Sequence, residues 1–164
     1  MRKLIAVGIA IYTFMNCTVS TCADTADTFI PEEYQEVIIE VAEEYCICPE
    51  LIMAMVEAES SGNANAYNKT YGCTGLMQIN PKWHKERMDR LGVTDLYNPY
   101  ENVLTGCDFL AELFVKYQDI YAVLMAYNEG EYGGAVDRAY DGEWSSYAKK
   151  IVARSEELER LHGK

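Results

Sequence analysis

Glu57 and Glu59 stand two residues apart near the end of LIMAMVEAES, residues 51–60, and helical spacing gives them different surroundings. Wound at roughly 100° per residue, Leu51, Ile52, Met55 and Val56 occupy one arc of about 140°. Glu59 falls inside that arc, one turn beyond Met55. Glu57 is expected on the opposite side, in solvent. A carboxyl held against apolar groups has its ionised form disfavoured, so it can hold a proton near neutral pH. A general acid needs that property. The alternative is that Glu59 ends a fraying helix in water and titrates normally.

The elements that must position this acid are helical. Pro49 suits the first turn of the helix that carries Glu59, with Cys48 or its predecessor as the cap. An earlier helix is expected from Pro31 to Cys46, with its acids crowding the first turn, where they suit the helix dipole. Residues 61–74 are rich in Gly, Asn, Ser and Thr and read as a long irregular loop, with room for a hairpin around residues 66–79. Pro81 to Leu91 reads as a polar helix stopped by Gly92. A turn at Asn98–Pro99 precedes a longer helix through Tyr117. Asp119 or a neighbour caps a helix over Tyr121–Tyr127, ended by Asn128-Glu129-Gly130. A short helix follows between the glycines at 133 and 134 and Asp141-Gly142. A charged helix from Trp144 to Leu161, with a fraying tail, closes the chain. This is a mainly α domain, with a groove between helical parts as the place for a polymer.

At 164 residues the chain suits one domain with a real core. Arg2 and Lys3, an apolar run from Leu4 to Met15 and Ala23 fit a secretory leader over residues 1–23, with a retained anchor as the second choice. Cys22 raises lipidation, but Thr21 before it fits that pattern poorly. Loss of the leader takes two positive charges from a net charge of −12 and leaves −14. Nucleic acid and anionic membranes would repel such a chain, so a polymer substrate must be gripped by shape and hydrogen bonds. Four of the six cysteines then remain, Cys46, Cys48, Cys73 and Cys107. An even number in an exported chain favours disulfides, with Cys46 and Cys48 each reaching across the fold to Cys73 or Cys107. Cys-x-Cys without a nearby His is poor zinc spacing, so no metal and no cofactor is expected. His84 and His162 read as surface residues.

Four blocks stand in order: Ala58-Glu59-Ser60, Gly75-Leu76-Met77-Gln78, Asn98-Pro99 through Asn102 to Gly106, and Ala126-Tyr127-Asn128-Glu129-Gly130. Together they resemble the soluble lytic transglycosylase (SLT) domain of the lysozyme-like superfamily, over about residues 35–150 within a domain of residues 30–162. The resemblance implies a lysozyme-like helical fold with a substrate cleft. It implies cleavage of the β-1,4 bond between N-acetylmuramic acid and N-acetylglucosamine in peptidoglycan, with Glu59 as acid and then base and a 1,6-anhydro product. Ser60, Met77, Gln78, Tyr127 and Asn128 become substrate-binding candidates: Met77 as a wall of the pocket, Tyr127 near enough to hydrogen-bond Glu59. Each has a plainer reading. Gln78 could satisfy loop backbone, Ser60 could bond at the helix end, Tyr127 could be core, and Asn102 and Gly106 could serve packing.

Glu129 departs from the family pattern, which commonly has a small residue there. Trp83 and Trp144 could stack on sugars, although burial is the commoner role for tryptophan. The alternatives are a hydrolytic muramidase on the same scaffold and a non-catalytic wall-binding or assembly module. The expected location is the cell envelope or outside it, serving a secretion or conjugation apparatus, phage entry or wall turnover.

Overall fold

The computed structural model describes residues 28–164, and the leader expected over residues 1–23 lies outside them. Helix α1, Glu32–Glu44, follows Pro31 and turns Gln35, Ile38, Val41 and Ala42 inward. Helix α2, Pro49–Ser60, begins with proline in its first turn after Cys48. Every residue from Glu50 to Val56 is buried, so α2 has no solvent face along that length. It lies between α1 and the last helix, α7, Ser146–Leu161.

That placement overturns the expected position of Glu57. Its side chain is 9% exposed and takes hydrogen bonds from Arg154 of α7 at 2.7 and 3.0 Å and from Thr28 at 2.7 Å. A helix surrounded by protein has apolar partners on every side, so a stripe drawn on one arc could not tell inside from outside.

Loop 61–74 contains the expected hairpin, β1 (Tyr67–Asn68) antiparallel to β2 (Cys73–Thr74), in the register Tyr67 with Thr74 and Asn68 with Cys73. Asn68 shapes its turn by accepting from the backbone N–H groups of Thr70 and Tyr71. Helix α3, Lys85–Leu91, starts later than Pro81 and stops at Gly92, whose φ is +74°. Helix α4, Pro99–Tyr117, is capped by the Asn98 side chain on Glu101 N–H, and α5, Ile120–Glu129, by Asp119 on Ala122 N–H. Short α6, Ala135–Tyr140, leads to α7, which Ser145 caps on Ala148 N–H. Helix α5 packs on α4, α6 and α7, and its inward face is wholly apolar.

The end of α7 is tied down and not frayed. Buried Glu50 binds His162 Nδ1 at 2.9 Å and Lys164 Nζ at 2.7 Å. His162 is therefore a packed residue, contrary to the surface reading. Burial pushes the Glu50 carboxyl up, but hydrogen bonds from Cys48, Lys164 and His162 outweigh it and bring it down to about 2.

The expected disulfides are absent: Cys46, Cys48, Cys73 and Cys107 are all free thiols. Cys46 is exposed beyond the end of α1, Cys107 is fully buried in α4, and the Cys48 thiol donates to Glu50 Oε2 at 3.0 Å. No helix among the described residues is long and apolar enough to cross a membrane.

Candidate active site

The last turn of α2 presents Glu59, half-buried, above the helix's apolar length. The Tyr147 hydroxyl of α7 donates to Glu59 Oε1 at 2.6 Å. Burial pushes the Glu59 carboxyl above the ordinary range, and the Tyr147 hydrogen bond offsets part of that rise. Among the described residues no charged neighbour contributes to the shift. Burial, followed by the charge of Glu59, holds the Tyr147 phenol far above its ordinary value, so it remains a donor.

Tyr147 takes the position expected of Tyr127. The Tyr127 hydroxyl instead donates to the Met77 carbonyl at 2.8 Å, tying α5 to the loop after β2. Tyr127 still faces the acid's surroundings, since the charge of Glu59 adds to burial in raising its phenol. Cys73 is a second neighbour that no motif singled out; burial and then the charge of Glu59 push its thiol up. Tyr147 did leave a trace in the sequence. It lies one turn before Ile151 on the buried side of α7, and a phenol on a buried stripe requires a hydrogen-bond partner.

The GLMQ loop is held from beneath by Asn102 of α4. Asn102 is 1% exposed; it accepts from Met77 N–H at 2.8 Å and donates to the carbonyls of Thr74 and Leu96 at 2.9 and 2.8 Å. Gly75, at φ +77°, lies so close that a methyl group there would overlap Asn102 Nδ2 and the Leu96 carbonyl. Gly106 makes room for Met77 in the same way. Met77 is fully buried, so its side chain supports the loop and forms no exposed wall.

Gln78 adopts φ +49°, rare for a residue with a side chain, and its Nε2 donates to the Gly75 carbonyl at 3.0 Å. It satisfies loop backbone while half-buried at the surface. Ser60 donates to the Val56 carbonyl at 3.2 Å, the helix-end bond of its plainer reading. Asn128 is exposed, and its amide has no protein partner among the described residues. Glu129 is also exposed and pairs with Arg138 of α6. The geometry thus offers one carboxyl of raised proton affinity, a phenol fixing its orientation, and an amide free to meet a ligand.

Residues 36–150 match the family described as the transglycosylase SLT domain. The chain is 32% identical over 120 residues to a transglycosylase of Enterobacteria phage PRD1, covering 73% of this chain and 42% of that protein. It is 29% identical over 113 residues to the membrane-bound lytic murein transglycosylase E of Buchnera aphidicola, covering 60% and 51% of the two chains. To the membrane-bound lytic murein transglycosylase C of Actinobacillus pleuropneumoniae serotype 5b it is 32% identical over 124 residues, 66% of this chain and 33% of the other. The chain thus spans about a third to a half of these relatives.

In three dimensions it superposes on an inactive mutant of the lytic transglycosylase Slt of Pseudomonas aeruginosa with a TM-score of 0.67. That match has 18% identity and covers 80% of this chain and 24% of the other, a likeness of fold. The chain belongs to the transglycosylase SLT family, and its helical fold is the lysozyme-like one.

Proposed function

We propose that the chain is a peptidoglycan lytic transglycosylase cleaving the β-1,4 bond between N-acetylmuramic acid and N-acetylglucosamine. The names of its relatives and the family match support that reading. In this mechanism protonated Glu59 donates to the glycosidic oxygen as the C1–O bond breaks and positive charge develops at the muramic acid C1. The resulting carboxylate takes the proton of the same sugar's C6 hydroxyl. That oxygen bonds to C1 and gives a 1,6-anhydro end. One residue is acid and then base.

The observation that carries the proposal is the isolation of Glu59. Its carboxyl is raised by burial, and Tyr147 is its one hydrogen-bond partner among the described residues. A paired-carboxylate glycosidase of the retaining kind needs a second acid about 5 Å away. Glu57 is engaged with Arg154 and Glu129 with Arg138, so neither is available for that role. With neither of these acids free to act as nucleophile, the substrate's acetamido group is the group to stabilise C1. Asn128, whose amide can both donate and accept, and Gln78 Oε1, which can only accept because Nε2 donates to loop carbonyls, are the groups to hold N-acetyl groups. Export of the enzyme, and service to a secretion or conjugation apparatus, belong to the same proposal.

The test is the mass of the sugar ends released from purified peptidoglycan. Anhydro ends, one water lighter than hydrolysed ends, are expected from the wild type and none from Glu59→Gln. Hydrolysed ends would replace this reading with a muramidase. No release at all by the wild type would favour a binding module.

A further inference from the structure

Side chains tie α2 to α7 at three levels, and the levels run in opposite chain directions, so the two helices are antiparallel. Glu50 meets His162, Glu57 meets Arg154 and Glu59 meets Tyr147. The first tie lies at the far end of α2 from the acid. The second lies in the same last turn as the acid.

The Glu57–Arg154 tie is a bidentate one. Arg154 Nε donates to Glu57 Oε2 at 2.7 Å and Nη2 donates to Oε1 at 3.0 Å. Each partner is held from behind as well. Thr28 donates to Glu57 Oε1 at 2.7 Å, and Arg154 Nη1 donates to Glu157 Oε2 at 2.8 Å. Burial pushes the Glu57 carboxyl up, but hydrogen bonds from Arg154 and Thr28 outweigh it and hold the group below its ordinary value. The fork is therefore charged on both sides at neutral pH.

Its placement matters to the acid. Tyr147 and Arg154 stand about two turns apart on α7, with buried Ile151 between them, so they project from one side of that helix. Glu57 and Glu59 stand roughly 200° apart around α2 and reach that side from opposite flanks. A roll of α2 by roughly 10° about its axis would carry a side-chain end by about 1 Å. The 2.6 Å bond from Tyr147 to Glu59 would not survive such a shift. The fork opposes the roll in either sense, because turning parts one of its two hydrogen bonds.

We propose that Glu57 and Arg154 are positioning residues that hold α2 at the rotation where Tyr147 reaches Glu59. This rests on the reading of Glu59 as the acid that cleaves glycan. The pair also lines a cavity of about 360 Å3 with Phe29, Lys150 and Ala153, and none of the candidate substrate residues borders it. The groups facing Glu59 are Tyr147 from α7, Tyr127 from α5 and Cys73 from β2, all raised and so uncharged at neutral pH.

The experiment places Glu57→Ala in wild type and in Tyr147→Phe, with Glu50→Gln as the control from the same helix pair. Three quantities are read: kcat and KM on peptidoglycan, the Glu59 carboxyl titration by NMR without ligand, and the thermal melt. In wild type, Glu57→Ala is expected to lower kcat about 3- to 10-fold with KM little changed. The Glu59 midpoint should rise towards that of Tyr147→Phe. Loss of a negative charge at 57 would by itself lower that midpoint, so the sign separates alignment from electrostatics. In Tyr147→Phe, adding Glu57→Ala should change neither kcat nor the midpoint further. Glu50→Gln should melt lower and leave the Glu59 titration in place.

A Glu59 midpoint that stays or falls in Glu57→Ala would overturn the proposal. So would a loss of kcat that multiplies in full with that of Tyr147→Phe, or a Glu50→Gln that moves Glu59 equally. If Glu57→Ala does not fold, Glu57→Gln, which keeps the outline but one acceptor fewer, decides by the same readings. Wild type that cleaves nothing would defeat the function proposed for Glu59, while the titrations still decide the positioning.

Discussion

The Tyr147 hydroxyl donates a 2.6 Å hydrogen bond to Glu59 Oε1 across 88 positions of sequence. The last helix thus sets the orientation and proton affinity of an acid carried by the second.

Removing that donor separates Tyr147 from Tyr127. In Tyr147→Phe, burial acts on Glu59 unopposed, so its carboxyl rises further and the alkaline limb of the pH–rate profile moves to higher pH. The rate falls by about 10-fold or more as the acid loses its fixed orientation. Tyr127→Phe removes only the tie to Met77, costs about 1 kcal/mol of stability and leaves the profile in place. Kinetics across pH and a denaturant titration of each variant check the pair.

Asn102 is the fastening of the GLMQ loop. Asn102→Ala leaves Met77 N–H and two carbonyls without their buried partner, and unfolding in urea should show a loss of about 3 kcal/mol. Gly75→Ala should be worse than Gly106→Ala. The added methyl at 75 meets a carbonyl and a fixed amide in a positive-φ backbone, whereas at 106 the nearest atoms are the flexible end of Met77.

How much of this was legible in the sequence depended on how local each determinant is. The turn at Asn98–Pro99, the cap at Asp119 and the stop at Gly92 are decided within a few residues, and the structure keeps all three. Glu57 is different. Its burial depends on Arg154 arriving from α7, and a helix enclosed on all sides carries no phase from which that could be read. The phenol beside Glu59 is misassigned for the same reason. Tyr127 sits in a recognisable block and Tyr147 does not, and only the packing of α7 on α2 brings Tyr147 to the carboxylate.

Acid stability should depend on Glu50. Its folded value of about 2 lies below the unfolded value of about 4.3, so the ionised clasp contributes fully above the latter. That contribution is lost as pH falls towards 2. Glu50→Gln should lower stability at neutral pH and flatten the pH dependence between those limits, as read by thermal melts.

Glu59 carries the opposite sign. Its raised carboxyl means the folded state binds the proton more tightly, so ionisation above the folded value costs stability. Glu59→Gln keeps an acceptor for Tyr147 without the buried charge. It should therefore melt about 2–4 °C higher at pH 8 while losing activity.

The most direct measurement is the titration of the Glu59 side-chain carboxyl carbon by NMR in the ligand-free wild type. A midpoint clearly above the ordinary glutamate value of about 4.3, moving higher still in Tyr147→Phe, is the predicted result. A midpoint at or below the ordinary value, unmoved by the loss of Tyr147, would contradict a buried acid that keeps its proton for the glycosidic oxygen.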